Sequence, residues 1–189
     1  MAREFVTILT EAGKPAEKTK LRSHIMNSEK KSSLSVSGIV QAAVIAALYA
    51  ALSFLTGFIP KVGGMFQFRV SEALTILPYF TVSAVPGLTI GCLITNIILG
   101  GGPYDIILGT FATLLGAVGT RLLRKHKFLA PLPPIIANTV IMPFAIALTA
   151  GTFESVPFFI LSVGLEELVS CGVLGIVLLL ALEKRNIFK

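Results

Sequence analysis

The stretch of residues 104–150, YDIILGTFATLLGAVGTRLLRKHKFLAPLPPIIANTVIMPFAIALTA, contains two apolar runs joined by the basic cluster Arg121, Arg124, Lys125, His126 and Lys127. A run of about 20 apolar residues, rising about 1.5 Å per residue as a helix, matches the roughly 30 Å of bilayer hydrocarbon. Short loops rich in Lys and Arg are held on the cytoplasmic side during insertion, so this pair reads as two transmembrane helices with their connection in the cytoplasm. Outward from it, further apolar runs at 37–58, 70–84, 86–100 and 156–182 join the spans 104–123 and 131–150. The breaks between them are chemical: Pro60, Gly63 and Gly64, then Pro86 and Gly87, then Gly100 to Pro103, then Pro131, Pro133 and Pro134. Each stops or kinks a helix.

Parity follows from the charges. The basic N-terminal segment, the loop Arg121–Lys127 and the end Glu183-Lys184-Arg185 fall on one side only if the number of spans is even. The sequence therefore predicts an all-α integral membrane protein, a bundle of six transmembrane helices with both termini cytoplasmic and a long external first loop from Gly57 to Phe68. Residues 1–33 are rich in Lys, Glu and Ser and read as a disordered basic cytoplasmic tail, with residues 34–189 as one membrane domain. No secretory signal is legible at the start, and Met26 is as plausible a start as Met1. Lys61 and Arg69 sit on the outer side against the charge rule, which asks for a specific reason.

Composition excludes several classes. The chain is 54% hydrophobic and only 14% charged, with a mean hydropathy of +0.85, whereas soluble domains carry about a quarter charged residues. The net charge of +6 lacks the aromatic-interleaved basic face of a nucleic-acid binder, so no nucleic-acid partner is expected. Cys92 and Cys171 both lie inside apolar runs, which fits packing rather than a disulfide framework, and no metal site or cofactor is expected. No Gly-rich loop ends in Gly-Lys-Ser or Gly-Lys-Thr, so energy for any transport comes from a partner or a gradient.

Ionisable groups inside spans are expensive and mark function. The topology places Arg69 and Glu72 near the outer start of the second span, Asn96 near the outer end of the third, Asp105 at the outer start of the fourth, and Glu166 and Glu167 about ten residues into the sixth, roughly 15 Å deep. All fall in the outer half, which predicts a polar pocket open outward and closed below. Blander roles stand beside this: a local Arg69–Glu72 ion pair, a helix-start role for Asp105, an interhelical hydrogen bond for Asn96. Glu166 and Glu167 are about 100° apart on a helix, so only one is expected to point squarely inward. Phe66, Gln67 and Phe68 read as a lid, and Tyr79, Phe80, Tyr104, Phe158 and Phe159 as rings able to sandwich a flat heterocycle or simply to pack. On the first span, Ala42, Ala46 and Ala50 form a small-residue track, with Ala43, Ala47 and Ala51 beside it; such tracks admit a partner helix or serve internal packing. The fourth span has a similar track in Gly109, Thr113, Gly116 and Thr120.

The run Gln67-Phe-Arg-Val-Ser-Glu-Ala-Leu-Thr-Ile-Leu-Pro78, followed by Val85-Pro-Gly-Leu, Gly91-Cys92, Asn96 and Asp105-Ile-Ile-Leu-Gly109, resembles the QueT family over about residues 34–185. The resemblance implies a substrate-binding S component of an energy-coupling factor importer for 7-deazaguanine precursors of queuosine. It implies a multi-pass bacterial plasma-membrane protein whose first helix meets a transmembrane coupling protein shared with two ATPases. Ala42, Ala46 and Ala50 are then the expected coupling-protein interface; the resemblance assigns no binding residues, and Arg69, Glu72, Asn96, Asp105, Glu166 and Glu167 are the expected substrate site from their placement in the spans. A deazaguanine offers adjacent N–H donors that a carboxylate accepts in pairs, and an aminomethyl group adds a cation needing a second acid. Glu166 or Glu167 with Glu72 would take these, Asn96 would read the base carbonyl, and Arg69 would hold Glu72 or the lid.

The rival readings are an S component for another heterocyclic vitamin, a stand-alone gradient-driven carrier, and an intramembrane enzyme. The last is prompted by the paired glutamates of Glu-Glu-x-x-x-Arg membrane proteases, but Cys171 stands at the Arg position. Both histidines, His24 and His126, lie outside the spans.

Overall fold

Where no water can meet a backbone amide, the chain must satisfy its own hydrogen bonds, and apolar runs of this length do so as helices. A computed structural model describes residues 36–57 and 69–185, and among them there is helix and no strand. The expected tail 1–33, Lys61 and the lid residues Phe66, Gln67 and Phe68 lie outside the described residues.

Helix α1 runs Val36–Gly57, a 3-10 helix Val70–Tyr79, α2 Ala84–Ile98, α3 Pro103–Leu122 and α4 Leu132–Ala150. The last apolar run forms one continuous helical stretch, Phe153–Arg185. It consists of a 3-10 turn Phe153–Ser155, α5 Val156–Glu167, a π-helical segment Leu168–Leu174 and α6 Gly175–Arg185. Four stretches, Val36–Gly57, Pro103–Leu122, Leu132–Ala150 and Phe153–Arg185, are long and apolar enough to cross a membrane, and Ala84–Ile98 is a shorter apolar helix. The compact unit holding the site begins at Val40.

The predicted span 70–84 differs from what forms. Its helix has ten residues, about 20 Å at the 3-10 rise, and Ser71 through Pro78 are all buried. A segment enclosed by its neighbours never meets lipid and need not span its full depth. The prolines also act differently from simple breaks. Pro86, Pro103, Pro133 and Pro134 all sit in first helical turns, where a missing N–H leaves no bond unmade. Gly151 ends α4 at φ 68° with its N–H on the Ala147 carbonyl, a left-handed stop that a side chain would strain.

Side-chain contacts fix the helix directions. Tyr49 meets Glu72 and Ser53 meets Ser71, so α1 and the 3-10 helix are antiparallel. A Cβ on Gly87 would lie 2.7 Å from the Ala42 carbonyl oxygen, and one on Gly91 3.0 Å from Ala46 Cα, so α1 and α2 run parallel. Asn96 with Asp105 and Cys92 with Thr113 make α2 and α3 antiparallel; Asp105 with Thr149 and Thr120 with Ala130 do the same for α3 and α4. Asn138 with Glu167 and Ile135 beside Gly172 reverse the last stretch again. Direction thus alternates along the chain through all six segments.

The glycines permit the closeness. A Cβ on Gly116 or Gly119 would come within 2.7 Å of Pro134 or 2.4 Å of Pro133, so the α3 track packs internally against α4. The same reasoning locates the alanines of the first helix. Ala42 and Ala46 face the glycines of α2, Ala46 is buried and Ala50 half-buried, so that track is occupied within the chain. The alanines left exposed on α1 are Ala43, Ala47 and Ala51.

Candidate functional site

The 3-10 helix, α2, α3, α4 and α5 enclose a cavity of about 310 Å³. Its wall includes Arg69, Glu72, Asp105, Glu166 and Glu167, five of the six residues expected from sequence. It lies toward the end of the bundle opposite the basic loop.

At the floor stand two buried acids, Glu72 and Glu167, each hydrogen-bonded to neighbouring side chains rather than to the other. Glu72 stands in the first turn of the 3-10 helix, a favourable place for a carboxylate. The Tyr49 hydroxyl donates to its Oε1, while its Oε2 is buried with no hydrogen-bond partner. Across the cavity Asn138 Nδ2 donates to Glu167 Oε1 at 2.9 Å, and the Cys171 thiol to Glu167 Oε2 at 2.9 Å. Glu72, Glu167 and Cys171 bring potential metal-ligand atoms within 4.8 Å of one another; the thiol–carboxylate hydrogen bond accounts for part of that closeness.

The upper wall is looser. Glu166 Oε1 accepts the Arg69 backbone N–H at 3.2 Å. Asp105 Oδ2 accepts from the Gly102 N–H and the Thr149 hydroxyl, both at 3.3 Å, so it holds the helix start and faces the cavity at once. No Arg69–Glu72 salt bridge forms among the described residues, but the two charges lie close enough to interact electrostatically. Four carboxylates therefore share the cavity with one guanidinium.

Two expectations differ from the structure, and the rings divide between their two readings. Both Glu166 and Glu167 line the cavity, because it extends from the 3-10 helix to α4: Glu166 leans to Arg69 and Glu167 to Asn138. Asn96 is absent from the wall; its Nδ2 donates to the Asp105 carbonyl at 3.3 Å, tying α2 to α3. Of the rings, Phe159 lines the cavity, whereas Tyr104 and Phe158 are largely exposed and Tyr79 and Phe80 pack around Ile76, Ala130 and Leu179 near the basic end. Sequence reasoning missed Asn138, Thr113, Cys92 and Ser162 in the wall. Asn138 carried the same signal as Asn96, an amide inside an apolar span, and Cys171 stands four residues after Glu167, one helical turn away.

A helical bundle with membrane-length apolar helices around an acid-lined cavity defines a membrane protein with an internal polar cavity. The chain belongs to the QueT transporter family, whose model matches residues 39–184. It is 39% identical over 77 residues to the Queuosine precursor transporter QueT of Lactococcus lactis subsp. cremoris (strain MG1363), a match covering 41% of this chain and 45% of that protein. No solved structure matches the chain. Membership of a transporter family sets aside the protease-like reading of Glu166-Glu167.

Proposed function

We propose that the chain is the substrate-binding S component of an energy-coupling factor importer in a bacterial plasma membrane, taking up a queuosine precursor of the 7-deazaguanine type that carries a protonated amine. The observation that carries this reading is the unpartnered, buried Oε2 of Glu72 on an acid-rich cavity wall. A buried acceptor without a donor costs free energy until a ligand supplies one. The adjacent N–H groups of a deazaguanine edge fit such a carboxylate, the Arg69 guanidinium suits its carbonyl, and an ammonium offsets the remaining acids. The name of the Lactococcus relative supports the substrate class.

Calorimetry on the purified protein tests the ligand. The aminomethyl deazaguanine should bind roughly ten- to a hundredfold tighter than its uncharged cyano analogue, the worth of one charge-assisted contact. Equal affinities would refute the cationic ligand. Import that persists in cells lacking the coupling ATPases would instead support a gradient-driven carrier.

In this reading all six segments cross the membrane, the 3-10 helix doing so inside its neighbours, with both termini cytoplasmic. Arg121, Arg124, Lys125, Lys127, Lys184 and Arg185 then share the cytoplasmic side. Reporter fusions after Lys127 and Lys189 should behave as cytoplasmic and one after Thr152 as external. A cytoplasmic signal at Thr152 overturns the six-pass arrangement.

A further inference from the structure

The hairpin of α3 and α4 carries two cavities that the ligand site does not use. One is an apolar groove of about 450 Å³ whose walls include Leu115, Leu123, Leu132, Ile136 and Val140. Leu115, Leu132, Ile136 and Val140 are 44–55% exposed, so the groove opens away from the bundle. The other, about 310 Å³, lies in the turn joining the two helices and is lined by Lys125, His126, Lys127, Phe128 and Leu129. The two are neighbours along the chain, since Leu123 lines the first and Lys125 the second.

The charges at this turn are not equivalent. Lys127 is paired with Glu183 at 3.0 Å, and Arg121 points inward to the carbonyls of Pro78 and Tyr79 at 3.2 and 3.4 Å. Arg124 and Lys125 are exposed and make no salt bridge among the described residues. An apolar groove whose Leu123 wall is followed in the chain by two exposed cations suits an amphiphile with a hydrocarbon tail and an anionic head. A partner helix would cover the groove and leave the cations without counter-charge, and a zwitterionic lipid would gain little from them.

We propose that the α3–α4 hairpin binds an anionic phospholipid, with an acyl chain in the groove and the phosphate at Arg124 and Lys125. Native mass spectrometry of the full chain, supplied with phosphatidylglycerol and phosphatidylcholine of identical chains, tests this. Phosphatidylglycerol should be retained preferentially. The double change Arg124→Gln with Lys125→Gln should lower its retention roughly tenfold or more and leave phosphatidylcholine unchanged. Ile136→Trp, at a 54% exposed position, should lower retention by filling the groove without altering charge. Equal retention of the two lipids, or phosphatidylglycerol retention indifferent to either variant, overturns the proposal. So does displacement of the lipid by inorganic phosphate, which would assign the cations to a free anion.

Discussion

Glu72→Gln is expected to lower ligand affinity at least about a hundredfold while leaving the isolated protein as stable as before or more so. The affinity loss combines a charge-assisted bond, worth about 1.5–3 kcal/mol, with a ligand N–H left facing an amide N–H. The stability gain arises because Glu72 Oε2 is buried without a partner, and a buried unpaired carboxylate destabilises the ligand-free fold. The Tyr49 hydroxyl can still donate to the amide oxygen. Glu167→Gln should behave differently. Both Glu167 oxygens already accept, from Asn138 and from Cys171, so an amide that keeps its oxygen on Asn138 must turn its N–H to the weakly accepting Cys171 sulfur, exchanging a charge-assisted bond for a weak one and costing stability as well as affinity. Calorimetry and thermal unfolding on the same purified samples separate the two. A Glu72→Gln variant that melts lower and binds as well as the parent would remove Glu72 from the site.

Most of this arrangement is legible in the sequence because membrane spans leave few ways to place a charge. Glu72, Asp105, Glu166 and Glu167 are acids inside or beside apolar runs, and the expected even count of spans would set them at one end of the bundle; the structure gathers them on one cavity. What sequence cannot supply is rotation about each helix axis. Asn96 and Asn138 look alike as isolated amides, yet only Asn138 faces the cavity, because Asn96 is turned to the Asp105 carbonyl. The two alanine tracks of α1 likewise differ by one residue, and their roles are decided by Gly87 and Gly91 on a different helix. Helix type was also hidden: nothing in Val70–Tyr79 separates a 3-10 from an α hydrogen-bond pattern, and Pro78 lies inside it. The paired glutamates are a further case, since the 100° rule assumes a narrow pocket and this one is wide enough for both.

The two alanine tracks allow a test of partner contact. Ala47→Phe is expected to abolish import while ligand affinity and melting temperature stay at parental values. Ala47 is exposed, so a ring there disturbs nothing within the chain, but it would hold off a helix that must approach as closely as alanine permits. Ala51→Phe, one turn on, should act alike. Ala46→Phe should fail for another reason: its ring would enter the space where Ala46 Cα already lies 3.0 Å from a Cβ position on Gly91, and overpacking of that kind costs about 1–3 kcal/mol or more. Its melting temperature should drop, and binding with it, since Tyr49 on the same buried face holds Glu72. Leu48→Phe, at a 49% exposed apolar position, is the control and should leave binding and import intact. Import by Ala47→Phe at the parental rate would move the coupling surface off α1, and import lost equally in Leu48→Phe would mean that any bulk on this helix is harmful, whatever its face.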